Sequence, residues 1–231
     1  MTMMGLLEGL CRLTEEAGLY LDLMGLGDDE IRIEVSFVDS DEAATLVVGR
    51  GIEVLGSSED PDLRLTMERR VFDDIMAGDA DFGALVGRSR MSDVRPINVE
   101  MLKADKASSA MEVLKAMMTI FFTPGKVKVK RLRKELAGEA HGAHPIPLVY
   151  YDDLRCAWYA IKKGEVLNEA GERDPYPQAI VVLKGEGVIV VGDERLELEP
   201  QTVVYIPKNV LHQIEASEDV EALWLAWRAP P

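Results

Sequence analysis

The sequence of 231 residues is poor in cysteine, with only Cys11 and Cys156. Because these two lie far apart in the chain, we expect reduced thiols in a cytoplasmic protein and no disulfide framework. The sequence also lacks any run of 18 apolar residues, which excludes a membrane-spanning helix. Its first residues lack the basic start of a signal peptide, and the apolar residues between Leu6 and Ala17 recur at the spacing of an amphipathic helix.

Basic residues are the second shortage. The chain has 26 Lys and Arg against 41 Asp and Glu, for a net charge of −15, which argues against a nucleic-acid-binding surface. Catalytic and phosphate-binding motifs are scarce as well. The serines occur without a nucleophile elbow or a neighbouring histidine, and glycine-rich phosphate loops are missing. The sequence therefore predicts no catalytic residue.

The first half of the chain combines two periodicities. Apolar and polar residues first alternate as in strands. Apolar residues then recur as in helices, and the first helix after the strands ends at Gly78. This pattern predicts an α+β domain over residues 1–124 with helices on one side of a mostly antiparallel sheet. The predicted strands are Ile31–Phe37, Ala44–Val48, Ile52–Leu55, Asp62–Met67 and Arg88–Met91, and the predicted helices include Phe82–Val86 and residues 98–122.

A change of composition follows. Residues 125–148 contain a basic run, Lys126–Lys134, and a stretch rich in Gly, Ala, His and Pro, so we expect a linker there. Residues 149–231 then alternate strand patterns with turn signals, which is typical of an all-β sandwich or barrel. The predicted strands are Ala157–Lys162, Gln178–Leu183, Val188–Val191, Arg195–Leu198, Val203–Ile206, Val210–Glu215 and Ala222–Trp227.

The stretch VVLKGEGVIVVGDERLELEPQTVVYIPKNVLHQIEA resembles the cupin family in the order and spacing of its turns. This resemblance implies a jelly-roll barrel whose interior holds the family's metal site, and a homodimer that pairs through β-strands. In the first motif, the positions of the family's two histidines and its glutamate are occupied here by Glu172, Asp174 and Gln178. In the second motif, the family's histidine is present as His212.

Two alternatives follow for these four positions. They form a mainly oxygen set, which suits Mn, Fe(II) or Ca better than Zn or Cu. The favoured alternative is a barrel that has lost its metal and needs no cofactor, because two carboxylates inside it would repel each other. Pro175 and Pro177 also interrupt the strand on which three of the positions would otherwise point inward.

The stretch DPDLRLTMERRVFDDIMAGDADFGALVGRSRMS resembles the sterol carrier protein type-two family in its order of strand, helix, loop, short helix and strand. This resemblance implies an apolar tunnel for a lipid, closed in part by a C-terminal helix at AMMTIFF. The competing interpretation is that these Met and Phe side chains only fill the core. The residues expected to line the tunnel are Leu46, Val48, Phe72, Ile75, Met76, Leu85, Met117 and Phe121.

The sequence therefore predicts an α+β sterol-carrier-like domain followed by an all-β cupin jelly-roll barrel. Its expected function is non-catalytic binding of a lipid or other apolar small molecule, with the barrel as a sensor or dimerisation module. The alternative is a metal-dependent enzyme that acts on a hydrophobic substrate. The basic run Lys126–Lys134 either contacts anionic membrane surfaces or is a solvated linker under which Val127 and Val129 pack.

Overall fold

The computed structural model describes residues 4–24, 29–57, 59–88, 93–168 and 172–228. The chain divides into two compact units. Unit 1 contains the residues up to Arg131, apart from a short stretch that begins at Gly87. Unit 2 contains the residues from Leu132 onward together with that stretch. The division after Arg131 lies inside the interval 125–148, for which the sequence predicts a linker.

Unit 1 is built on a five-stranded sheet in the order β3-β2-β1-β4-β5, in which β1 and β4 are parallel and the other neighbours antiparallel. Its strands are β1 (Ile31–Phe37), β2 (Ala43–Val48), β3 (Ile52–Leu55), β4 (Leu63–Met67) and β5 (Ile97–Met101). Its helices are α1 (Leu6–Ala17), α2 (Arg69–Ala77), α3 (Phe82–Val86) and α4 (Ala107–Thr119), with 3₁₀ turns at Gly18–Met24 and Ala104–Lys106.

The helices of unit 1 follow the expected periodicity. The buried side chains of α1 and α2 recur every three or four residues, and Gly78 ends α2 in the left-handed conformation. Helix α1 packs on β2 and β3, and α4 packs on α3 and β1. These contacts enclose one continuous apolar core between helices and sheet.

Two predictions in unit 1 need correction. The interval 98–122 was expected to be one helix, but Ile97–Met101 is strand β5 and the helix α4 begins only at Ala107. The reason is non-local: Ile97, Val99 and Met101 alternate with polar residues and pair with the open edge of β4. The strand expected at Arg88–Met91 falls largely outside the described residues, and Arg88 itself is in no strand.

Unit 2 is a sandwich of two sheets, one of four strands in the order β11-β10-β13-β8 and one of five in the order β12-β9-β14-β7-β6. All strand pairs in both sheets are antiparallel. The strands are β6 (His144–Tyr151), β7 (Leu154–Ile161), β8 (Val166–Leu167), β9 (Gln178–Lys184), β10 (Gly187–Val191), β11 (Glu194–Leu198), β12 (Val203–Ile206), β13 (His212–Ala216) and β14 (Val220–Trp227), with a 3₁₀ turn at Lys134–Leu136.

The core of unit 2 lies between the two sheets, where Ile180, Ile189 and Ile214 are buried. All seven strands predicted for residues 149–231 are present within a few residues of their expected bounds. Two strands are additional: β6, part of which lies in the predicted linker, and the two-residue β8. Strand β6 escaped prediction because Pro145 and Pro147 make the segment look like a loop, although an edge strand accommodates proline.

Candidate functional site

A pocket of about 300 Å³ opens in the barrel of unit 2. We call it the barrel pocket. Its walls are largely aromatic and polar, and include Tyr150, Tyr159, Asn168, Gln178, His212 and Trp224. Charged side chains also line it, namely Glu172, Asp174, Arg155 and Arg173, together with His141.

Strand ends position these side chains. Gln178 is the first residue of β9 and His212 the first residue of β13, so both side chains lie where a strand enters the barrel. Glu172 and Asp174 stand in the segment before β9, which is not part of a strand. That segment is fixed by a hydrogen bond from the Asn209 backbone N–H to the Asp174 carbonyl oxygen, 2.7 Å long. The four residues predicted as metal ligands thus line one pocket.

Both ring nitrogens of His212 form hydrogen bonds within the protein. The amide Nδ2 of Asn168 donates to His212 Nε2 at 2.7 Å, while His212 Nδ1 donates to the Val210 carbonyl oxygen at 3.2 Å. Burial lowers the pKa of His212, although that hydrogen bond and the carboxylates of Asp174 and Glu172 oppose the change. His212 is therefore a neutral imidazole at pH 7, and its Nε2 lone pair already accepts a hydrogen bond.

The other candidate ligands are partnered in the same way. Trp224 Nε1 donates to Gln178 Oε1 at 2.6 Å, and His141 Nδ1 donates to Glu172 Oε2 at 2.8 Å. Asp174 Oδ1 accepts the backbone N–H of Tyr176 at 2.8 Å. Across the described ranges, no three His, Cys, Asp or Glu side chains cluster as a metal would need. The residues as arranged do not fit a metal, because the single lone pair of His212 Nε2 already accepts from Asn168 Nδ2 and no metal-binding cluster surrounds it in the described part of the chain.

Most residues that line the barrel pocket are not predicted from the sequence, among them His141, Asn168 and Trp224. His141 was assigned to the linker, and Asn168 carried no signal, because its role depends on contact with a residue 44 positions away. The sequence favours core or interface positions for the three tryptophans, with the barrel mouth as the alternative for one of them, and Trp224 lines the barrel pocket. Alternation along β14 places Ala222 and Trp224 on the same face, which is a weak signal that was available.

The eight residues predicted to line a tunnel lie together in unit 1. Leu46 and Val48 come from β2, Phe72, Ile75 and Met76 from α2, Leu85 from α3, Met117 from α4 and Phe121 from the turn after it. All eight belong to the core or pack against it. The side chains of Leu46, Phe72, Ile75, Met117 and Phe121 are 0% exposed, so no space large enough for water touches them. An apolar ligand would therefore have to separate α4 from the sheet to reach them.

The basic run Lys126–Lys134 is partly tied to the protein. Lys130 Nζ lies 2.9 Å from a carboxylate oxygen of Asp81, and Lys128 Nζ donates to the Thr123 carbonyl oxygen. Val127 and Val129 are 71% and 65% exposed. The expectation that these two valines pack beneath the run is wrong, because alternation turns Lys128 and Lys130 toward unit 1 instead. Contact of the run with a membrane surface stays a prediction.

Within the described residues, the helices are all too short or too polar to cross a bilayer.

The chain was compared with known proteins. It is 43% identical over 65 residues to the linear primary-alkylsulfatase of Pseudomonas sp. (strain ATCC 19151), an alignment that covers 26% of this chain and 12% of that protein. The chain therefore spans only about an eighth of the length of this curated relative.

Solved structures resemble the barrel at low identity. A Cupin 2 conserved barrel domain protein from Salinispora arenicola is 16% identical with a TM-score of 0.40, covering 45% of this chain and 90% of that one. A cupin superfamily protein from Desulfitobacterium hafniense is 20% identical with a TM-score of 0.38, covering 46% and 94%. The family model described as the cupin domain matches residues 157–228, which span strands β8–β14 and most of β7. Residues 157–228 are thus similar to the cupin domain.

Proposed function

We propose that the protein is a non-catalytic binding protein whose barrel pocket takes a small polar molecule. One observation carries the proposal: the side chains at the metal-ligand positions of the barrel are hydrogen-bonded to protein partners, yet about 300 Å³ of space remains beside them. That volume matches a small metabolite, and polar groups in an aromatic-walled pocket orient such molecules. A site of this kind binds and releases a ligand without a metal.

A screen of soluble fragments by ligand-observed NMR tests this proposal. The screen includes cations, anions and neutral polar compounds. The variant His212→Phe fills the pocket, and Gln213→Phe is its matched control, since the neighbouring residue of β13 faces the other side of the sheet. We expect fragments whose saturation-transfer signal disappears in His212→Phe and remains in Gln213→Phe. If no fragment discriminates between the two variants, the pocket is not a ligand site.

The rival function is a metal-dependent enzyme acting through Glu172, Asp174, Gln178 and His212. Metal analysis of protein purified without chelator separates the two functions. A stoichiometric Mn, Fe or Ca that is lost in His212→Phe would favour the enzyme.

A second binding function concerns unit 1, for which we propose an apolar ligand such as a linear alkyl chain. It is supported by the resemblance of this part to the sterol carrier family and by the Met- and Phe-rich face of α4. The curated relative adds support, because its name describes an enzyme acting on linear primary alkyl sulfates. Methionine suits the role because its unbranched side chain adapts to ligands of different shape. Since the core is packed, binding would be coupled to an outward movement of α4.

A fluorescent fatty acid, dansyl-undecanoic acid, tests the second function. Met76 of α2 is half-buried against the core, whereas Met111 lies on the exposed side of α4. We expect Met76→Gln to weaken binding by about tenfold, because one buried apolar side chain contributes about 1.5–3 kcal/mol, and Met111→Gln to leave it unchanged. Equal binding by both variants would place the probe elsewhere, and native mass spectra that stay free of adducts with excess lipid would contradict the function.

A further inference from the structure

Among the described residues, neither Glu172 nor Asp174 forms an ion pair with an arginine, although Arg155 and Arg173 line the same pocket. His141 contacts Glu172, but His212 is neutral and donates only to a backbone carbonyl. Arg155 is stacked on the ring of Tyr176, with 4.7 Å between the guanidinium carbon and the ring centroid. Arg173 is exposed and donates to the Asn209 carbonyl oxygen at 3.3 Å. Both arginines are thus held by contacts of their own.

The negative charge reaches the interior of the pocket. Burial is the main cause of the altered pKa values of His212 and Tyr159, and the charges of Asp174 and Glu172 act on both groups as well. Close to these two carboxylates a cation is the favoured charge, while Arg155 acts with the opposite sign on the pKa of Tyr150 in the same pocket.

Aromatic faces strengthen the preference. Tyr150, Tyr159 and Trp224 line the same pocket as the carboxylates. The face of an aromatic ring attracts an ammonium group, most strongly when the group has lost its water shell. Alkylammonium groups are weakly hydrated compared with small inorganic cations, so they suit walls of this type.

One buried donor indicates a second group on the ligand. Gln178 is 2% exposed and lines the pocket, and its Oε1 accepts the Trp224 indole N–H. Its Nε2 has no hydrogen-bond partner among the residues that the structure describes. A buried amide donor without a partner costs stability, and a ligand oxygen that accepts from it would recover that cost.

Resting on the proposed function of the barrel pocket, we infer that its ligand is a small organic cation: an alkylammonium held by Asp174, Glu172 and the aromatic walls, with a hydroxyl or carbonyl oxygen that accepts from Gln178 Nε2. The pocket binds this molecule selectively and does not change it chemically. A neutral molecule of the same shape lacks the attraction to the two carboxylates, and an anion is repelled by them.

Choline and 3,3-dimethyl-1-butanol are the probes that test the inference, because they share a shape and a hydroxyl group and differ only in the charged nitrogen. Acetate is the anionic probe. Binding of each to the full chain is measured by isothermal titration calorimetry and saturation-transfer NMR at low ionic strength. We expect choline to bind at least about tenfold more tightly than the neutral alcohol, because only choline has coulombic attraction to the carboxylates and cation–π attraction to the aromatic walls, and acetate not to bind.

The variant Asp174→Asn removes one charge and keeps the Oδ1 that accepts the Tyr176 N–H. We expect it to weaken choline binding by at least about tenfold, because it removes one coulombic attraction to the quaternary nitrogen. Asp193→Asn, an exposed acid in the hairpin between β10 and β11, is the control and should bind choline as the parent does. Should Asp174→Asn fail to fold, Glu172→Gln takes its place.

The outcomes separate this inference from the proposed function. If the neutral alcohol binds as tightly as choline, or acetate binds in its place, the barrel pocket is a ligand site but the inferred charge is wrong. If choline binds equally to the parent and to Asp174→Asn, the cation lies elsewhere and the inference is overturned. If none of the three probes binds, the inference also fails, while the fragment screen with His212→Phe still decides the proposed function.

Discussion

At the scale of single residues, Gly185 shows how closely the barrel folds on itself. Its φ is +82°, and a Cβ at this position would overlap the backbone oxygen of Asp219 and lie 2.8 Å from Val220 Cα. Gly164 has a similar φ of +85° but nothing within 4 Å of its would-be Cβ. Comparing the two glycines separates two effects that destabilise a residue with a Cβ: a left-handed backbone at both positions, and a steric overlap at Gly185.

We expect Gly164→Ala to destabilise unit 2 by about 1–2 kcal/mol, the cost of left-handed backbone for a residue with a Cβ. Gly185→Ala should cost at least about 4 kcal/mol, because a backbone overlap cannot be relieved by a side-chain rotation. Urea unfolding followed by tryptophan fluorescence measures both. Equal destabilisation by the two variants would show that the chain relaxes around position 185.

At the scale of elements, Asp62 joins three strands of unit 1. Its side chain accepts the backbone N–H of Arg32 in β1 at 2.9 Å, and its carbonyl oxygen accepts the N–H of Leu102 just after β5 at 2.9 Å. Lys103 Nζ lies 3.0 Å from its Oδ1. Because Asp62 directly precedes β4, these contacts fix where the parallel pair β1–β4 begins.

The charge of Asp62 makes the stability of unit 1 dependent on pH. Burial alone would raise the pKa of this carboxyl, but the Arg32 hydrogen bond and the two lysines, Lys103 and Lys106, outweigh burial and lower the pKa below its ordinary value. A folded-state pKa below the unfolded one contributes stability that is present above the unfolded pKa of 3.8. That stability is lost as the pH falls through the folded pKa.

Asp62→Asn therefore tests the role of the charge. We expect a loss of about 2 kcal/mol at pH 7, in the range for hydrogen bonds to charged groups, and a smaller further loss than the parent shows when the pH is lowered through 4 toward 2. Urea unfolding followed by circular dichroism at 222 nm measures both effects. A variant whose stability falls with pH as steeply as that of the parent would assign the pH dependence to other carboxylates.

At the scale of the whole molecule, each unit has its own core. The large cluster between helices and sheet lies in unit 1, and the cluster between the two sheets lies in unit 2. Optical probes divide in the same way. Within the described residues the α-helices all lie in unit 1, whereas the three tryptophans, Trp158, Trp224 and Trp227, all lie in unit 2.

We expect the two units to unfold as separate cooperative transitions. Phe72→Ala should reduce the stability reported at 222 nm by about 3–5 kcal/mol, the cost of a buried aromatic side chain, and leave the tryptophan transition in place. Ile189→Ala should shift the tryptophan transition by about 2–5 kcal/mol and leave the helical signal unchanged. Coincident shifts of both signals in either variant would show that the units unfold together.

The sequence by itself determined the elements whose signal is local. Alternation and turn residues predicted β1 and β3 with their bounds, Gly78 ended α2 as expected, and the glycine turns gave the strands of the cupin-like domain. The physical reason is that side-chain period and backbone freedom act within a few residues. The spacing of the cupin motif likewise indicated the four positions that line the barrel pocket.

The tertiary structure alone decided what depends on distant partners. Strand β5 exists because β4 offers an edge for pairing, and β6 tolerates its prolines because it is itself an edge. The barrel pocket is decided in the same way: Asn168 reaches His212 and Trp224 reaches Gln178 across 44 and 46 positions of sequence. No local pattern encodes such pairs, since the hydrogen bonds form only after strands distant in sequence have paired, β8 with β13 and β9 with β14. These hydrogen bonds determine which side-chain atoms of His212 and Gln178 remain available for binding in the barrel pocket.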